Sequence, residues 1–279
     1  MVRILSDSTC DLGLKRAEEL GVEILPLTVC FGDEAYLDYV ELEPAEFFDK
    51  LRKAKQLPTT SQLNPDFLAK SFQAIVDKGD DVVGIFISSE LSGTYQSACL
   101  AREMVTEPER VYLVDSRTAT IVQGILVMEA ARRRDAGDTA AEIQAYLQRL
   151  IPKMRLYAVI DTLKYLQMGG RISAASAAIG GVLGIHPIIS IIDGKVVSLG
   201  KARGWKAAIQ ALEDYVKKDD IDKELTIVFG DCEADEAKEQ CKERLQPYVQ
   251  GAAICTSGIG SVVGTYVGPG AVGIAYFVK

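Results

Sequence analysis

The chain has 279 residues, of which 48% are apolar and 25% charged, and 31 Lys plus Arg against 39 Asp plus Glu give a net charge of -8. That length suits two compact units sharing a cleft rather than one, and the acidic balance excludes an electrostatic grip on nucleic acid or on an anionic membrane. The six cysteines are scattered with no C-x-x-C pair, which argues against a disulfide framework or a zinc site and predicts reduced thiols.

The first apolar run, residues 2–5, gives way at once to Ser6-Asp7-Ser8, too soon for a signal peptide, so it reads as a first strand of a cytoplasmic protein. Residues 23–29 form a second candidate strand. Pro44 near a first turn opens a helix ending near Lys55. Asn64-Pro65 supplies an N-cap and first helical residue for a helix that turns Phe67, Leu68, Phe72, Ile75 and Val76 to one side and closes at Gly79. Strand 81–87, helix 94–105, strand 111–114 and helix 121–136 follow. Thr139 with Glu142 is a capping box for a helix that Pro152 ends. Such alternation is the habit of an α/β sheet with mostly parallel neighbours.

The second half has a different texture. Its longest apolar stretch, residues 174–192, is broken by serines, glycines, His186 and Pro187, and reads as buried protein rather than a membrane span. Asp193-Gly194 between two β-rich runs, 187–192 and 195–199, is a hairpin signal. Strands at 225–230 and 271–278 and helices at 206–217 and 235–245 complete a mixed α/β unit. The boundary is placed near residue 155, giving an amino-terminal domain 1–155 and a carboxyl-terminal domain 156–279.

Ligands of open α/β sheets lie beyond the carboxyl ends of the strands, and those ends are rich in small hydroxyls here. They include Ser6, Asp7, Ser8 and Thr9, then Ser88, Ser89, Ser92, Gly93 and Thr94, then Asp115, Ser116 and Thr118, with a further polar knot at residues 58–62. The loop 88–94 can offer N–H groups and hydroxyls to a carboxylate or phosphate. The plainer alternative is that Ser92 or Thr94 caps the following helix. Arg171, after Met168-Gly169-Gly170, and Arg203, after the hairpin, are candidate anion partners or surface ion-pair members.

Catalytic signals are sparse. His186, the one histidine, sits between Ile185 and Pro187 and reads as a buried imidazole rather than a base for Ser92. Asp7, Asp115 and Asp161 have no metal-ligand spacing, so neither metal nor cofactor is expected. Gly258-Ile259-Gly260 with Gly264 misses the dinucleotide spacing by one residue and stands after the wrong strand, so turn glycines are the better reading, as for Gly268-Pro269-Gly270.

Taken in order, Ser6-Asp7-Ser8-Thr9-Cys10-Asp11-Leu12, Thr60-Ser61-Gln62, Ser89-Glu90-Leu91-Ser92-Gly93-Thr94-Tyr95, Val114-Asp115-Ser116, Gly169-Gly170-Arg171-Ile172, Pro187-Ile188, Ala202-Arg203 and Gly268-Pro269-Gly270-Ala271-Val272-Gly273 resemble the DegV family. These proteins bind fatty acids and include the carrier subunit of bacterial fatty acid kinase. The resemblance implies a two-domain fold with one long-chain acid, about C14 to C18, in a tunnel between the domains, where burying methylenes at ~0.8 kcal/mol each supplies the grip. It implies carboxylate contacts at Thr60 and Ser92, with Ser61, Gly93 and Tyr266 nearby, and places Arg171 and Arg203 towards a partner that carries ATP. Kinase-linked members often have a His-x-Gly-x-Gly turn where this chain has Tyr266-Val267-Gly268-Pro269-Gly270. A phenol hydrogen-bonds a carboxylate but carries no positive charge near pH 7. The implied role is a non-catalytic lipid carrier. Two alternatives stay open: a hydrolase or transferase using Ser92 with His186, and a nucleotide-binding α/β protein using the glycine-rich tail.

Overall fold

The computed structural model describes residues 1–172 and 184–279, so part of the apolar stretch 174–192 lies outside the described residues. The amino-terminal half runs β1 (Val2–Asp7), α1 (Gly13–Glu19), β2 (Val22–Leu25), β3 (Thr28–Phe31), β4 (Glu34–Leu37), α2 (Pro44–Lys53), β5 (Thr59–Ser61), α3 (Pro65–Val76), β6 (Asp81–Phe86), α4 (Thr94–Arg102), β7 (Val111–Asp115), α5 (Thr120–Asp135) and α6 (Ala140–Leu150). The carboxyl-terminal half continues with β8 (Met154–Val159), α7 (Lys164–Met168), β9 (Ile185–Ile192), β10 (Lys195–Arg203), α8 (Trp205–Val216), β11 (Ile227–Asp231), α9 (Asp235–Val249), β12 (Ile254–Gly258), α10 (Ser261–Val267) and β13 (Val272–Phe277).

A four-stranded sheet in the order β2-β1-β6-β7 is parallel throughout. Five consecutive residues of β6 are buried, as expected of a strand covered on both faces. A six-stranded sheet, β10-β9-β8-β13-β11-β12, is mixed, with only β11 and β12 parallel. The third sheet, β4-β3-β5, is small and antiparallel. The run read as one strand over 23–29 is two: β2 enters the parallel sheet and β3 the small sheet. Pro26 stands between them, fixing φ and lacking an N–H for a continuous ladder.

Local chemistry sets the ends of several elements. Asn64 caps α3 by accepting from the Asp66 N–H at 2.7 Å, and Thr139 and Glu142 form the reciprocal capping box of α6. Asp193 and Gly194 have φ of 51° and 83°, the two left-handed residues a tight primed hairpin turn requires. Gly194 also lets the turn dock, since a Cβ there would stand 2.5 Å from Ser88 Oγ, which donates to the Gly194 carbonyl at 2.8 Å.

Helix α5 joins the halves. Residues on all its sides are buried, because it packs on β1 and β6 of the parallel sheet and on β8, β11 and β13 of the mixed one. Helices α8 and α9 pack against the six-stranded sheet around a separate apolar cluster that includes Phe229 and Tyr276.

Candidate functional site

A cleft of about 920 Å³, its open mouth included, lies between α5, α10 and a face of the six-stranded sheet. The strands contribute alternate residues, as strand geometry requires: Leu156 and Ala158 from β8, Ile189 and Ile191 from β9. Ala158, Gly273 and Gly230 stand side by side in register across β8, β13 and β11. None carries more than a methyl, so the sheet face is hollowed along that row. Ile121, Val262, Val263 and Val267 help close the apolar space from the helix side.

Three polar residues on this lining, Thr60, Tyr266 and Arg171, are linked by contacts, and a fourth, Ser92, lies beside them. The Tyr266 hydroxyl is 2.6 Å from Thr60 Oγ1. The Arg171 guanidinium lies 4.5 Å from the centre of the Tyr266 ring, and it donates to the carbonyls of Leu91 at 3.2 Å and Gly169 at 2.7 Å. Ser92, next in chain to Leu91, shares a hydrogen bond with Thr94 Oγ1 at 3.0 Å. The ring of Tyr266 seats on Gly169, where a Cβ would stand 2.3 Å from it. Thr60, Arg171 and Tyr266, with Ser92 next to Leu91, thus gather on one part of a mostly apolar cleft whose lining also includes Thr120 and Asp231, a donor set suited to a carboxylate.

Other sequence candidates lie apart from it. Ser61 follows Thr60 on β5 and is exposed, as alternation along the strand demands, and Arg203 is exposed at the end of β10. Gly93 does not line the cleft; it makes room for Gln62, whose Oε1 would stand 1.9 Å from a Cβ there and whose Nε2 donates to Ser97 Oγ at 3.0 Å. Most N–H groups of the loop 88–94 are taken by the protein's own oxygens, nearer to the plainer alternative than to a free anion nest. Leu91 and Ser92 donate to the Ser88 carbonyl, Ser89 to Asp115 and Thr94 to Ser92 Oγ. Hydroxyls and the guanidinium, rather than an N–H nest, are therefore what this region offers.

The geometry supports neither open alternative. His186 stacks on Trp205 at 4.7 Å with Nδ1 3.3 Å from Asp161 Oδ1, and it is not on the cleft lining, so it does not serve Ser92 as a base. Asp7 is buried beneath Thr9, Ile87 and Gln123, and Asp115 pairs with Ser89 and Arg117, so the three aspartates do not gather. Among the described residues no acidic, His or Cys group of three could hold a metal. The glycine-rich segment read as turns contains α10, and its leading N–H groups are taken by the protein's own carboxylates.

That arrangement was not legible in the sequence. The Gly260 N–H donates to Asp11 Oδ1 at 2.9 Å and the Ser261 N–H to Asp38 Oδ1 at 3.1 Å, while the Tyr39 hydroxyl donates to Asp11 at 3.1 Å. Burial pushes the Asp11 carboxyl up to about 8 and that of Asp38 up to about 6. Gly264, inside α10, admits the rings of Phe47 and Phe48, each 2.9 Å from where its Cβ would be. Tyr266 is thereby held over Thr60 by contacts at the start and middle of its helix.

The whole chain, residues 1–279, matches the family model described as "Uncharacterised protein, DegV family". A DegV domain-containing protein of Caldanaerobacter subterraneus is 34% identical over 278 residues, 99% of this chain and 98% of the relative. The fold is similar to that of a DegV family protein from Thermus thermophilus whose solved structure is described as showing fatty acid binding, with a TM-score of 0.89, 29% identity, and 100% and 99% of the two chains covered. It is also similar to the Streptococcus pneumoniae fatty acid kinase B3 protein loaded with linoleic acid, with a TM-score of 0.87 over the full length of both chains; at 21% identity that likeness speaks for the fold alone. The mixed α/β fold, the order of motifs and these matches agree: the chain belongs to the DegV family.

Proposed function

We propose that this protein is a non-catalytic carrier that holds one long-chain fatty acid, of about C14 to C18, in the cleft between its halves. The observation that carries the reading is the join of an apolar, sheet-hollowed space to the linked set Thr60, Arg171 and Tyr266 with Ser92 on the same lining. Burying about 14 methylenes at about 0.8 kcal/mol each offers on the order of 11 kcal/mol before ordering costs. The carboxylate, which low dielectric would otherwise force to protonate, meets two alcohols, a phenol and a guanidinium.

The same reading divides the chain at about residue 155, close to Met154 where the six-stranded sheet begins, and keeps the protein in the cytoplasm. No helix among the described residues is long and apolar enough to cross a membrane. The carboxylate end, with Arg171 beside it, faces a separate kinase subunit that supplies ATP phosphate; Arg203, exposed, belongs to that docking face.

The test is direct. Protein purified from cells is extracted with organic solvent and the extract read by mass spectrometry, and delipidated protein is offered added acids. One long-chain acid per chain is the expected result. Protein that is persistently empty and takes up no acid rules the carrier out.

A further inference from the structure

Strands β8 and β9 are neighbours for only part of their length. Their ladder holds two residue pairs, Ala158 with Ile189 and Val159 with Ile188. Beyond it each strand keeps its other partner: β8 stays in register with β13 back to Met154, and β9 stays with β10 out to Ile192. A ladder that stops while both strands continue leaves a fork in the sheet.

A second cleft, about 1280 Å³ with its open mouth, occupies that fork. Its lining is mixed, with Met154 and half-exposed Ile192 among the apolar residues and Arg117, Arg155, Tyr157 and Ser190 among the polar ones. Leu156 and Ile191 line both clefts. These two side chains therefore stand between the acyl space and the fork.

Their position along the sheet matters. Tyr266 leads through the Gly268–Gly270 turn into Val272, which pairs with Val159, whereas Leu156 pairs with Ala275. Three residues of strand put Leu156 about 10 Å further from the turn that follows Tyr266. Ile191 likewise lies two residues beyond Ile189, away from the paired end of the fork.

We propose that the fork between β8 and β9 is a lateral port of the acyl cleft, and that Leu156 and Ile191 gate it, admitting the terminal methylenes of acids too long for the cleft alone. The proposal rests on the carrier reading. The occupant is an alkyl end: the two side chains common to both clefts, Leu156 and Ile191, are aliphatic, and Met154 and Ile192 continue the apolar lining on the fork side.

The experiment offers delipidated protein an equimolar panel of saturated acids of rising chain length and reads the retained acids by mass spectrometry. Leu156→Ala and Ile191→Ala each shift the retained distribution towards acids longer by about three carbons, matching the side-chain carbons removed, and Ile191→Phe shifts it towards shorter ones. Ile192→Asp, at a half-exposed position on the fork side, leaves shorter acids bound and depletes the longest. Thermal melts confirm folding, and the conservative Ile191→Val serves if a truncation does not fold. A length distribution equal to wild type in every folded variant overturns the port while leaving the carrier intact. Recovery of no acid from the wild type overturns the carrier reading and the port with it.

Discussion

The Tyr266 hydroxyl lies 2.6 Å from Thr60 Oγ1, a bond across 206 positions that ties α10 to the edge of the small sheet at the polar part of the cleft. Tyr266→Phe removes that bond and keeps the ring on Gly169 and under Arg171. A fold retained with a loss of about 0.5–1.5 kcal/mol is expected from denaturant melts, together with a drop in fatty acid affinity of about tenfold or less by titration calorimetry. An unchanged affinity would remove the phenol from the carboxylate site.

The carrier reading expects the arginines at two positions to separate binding from docking. Arg171→Gln breaks donations to the Leu91 and Gly169 carbonyls beside the cleft, so a fatty acid affinity lower by about tenfold is expected. Arg203→Gln, at an exposed site, leaves affinity at the wild-type value and lowers acyl phosphate formation with a kinase subunit, read by trapping with hydroxylamine. Equal effects of the two changes on affinity would contradict this division.

Gly93 and Gln62 form a coupled pair. Gly93→Ala forces the flexible amide of Gln62 away from Ser97, at a cost of about 1 kcal/mol. Adding Gly93→Ala to Gln62→Ala should cost little more than Gln62→Ala alone. Additive losses in a double-mutant cycle would show that the close approach is not what requires glycine.

The paired aspartates under α10 give stability a sign with pH. Burial raises Asp11 to about 8 and Asp38 to about 6, against an unfolded value of about 3.9. Between those values the folded chain holds a proton that the unfolded chain has released. Their contribution is therefore fully present below about pH 4 and is lost as pH rises, to about 6 for Asp38 and about 8 for Asp11, at up to about 1.4 kcal/mol per unit per group. Asn at position 11 still accepts from Gly260, so Asp11→Asn should flatten the fall in stability over this window. A wild-type minus variant difference that is constant with pH argues the other way.

Signals that live within a few residues were readable from the sequence. Asp193-Gly194, Asn64-Pro65 and Thr139 with Glu142 each fix a backbone by local hydrogen bonding or permitted φ, and each stands where its residues require. What escaped was decided at long range. A glycine-rich segment became α10 because Phe47 and Phe48 fill the space over Gly264 and because two carboxylates from the first forty residues receive its first N–H groups. The division of residues 23–29 depended on which sheet each part could join. Thr60 and Tyr266 came to notice through family resemblance; no spacing rule links them.

The seating of α10 has a consequence for synthesis. Asp11, Asp38, Phe47 and Phe48 emerge early from the ribosome, yet the helix that packs on them begins only after Gly260. Until that segment is made, the two aspartates lack the N–H donors they accept from and the two aromatic rings lack the face of α10 that packs on them. Completion of the amino-terminal half therefore waits on a segment 249 positions further along the chain than Asp11.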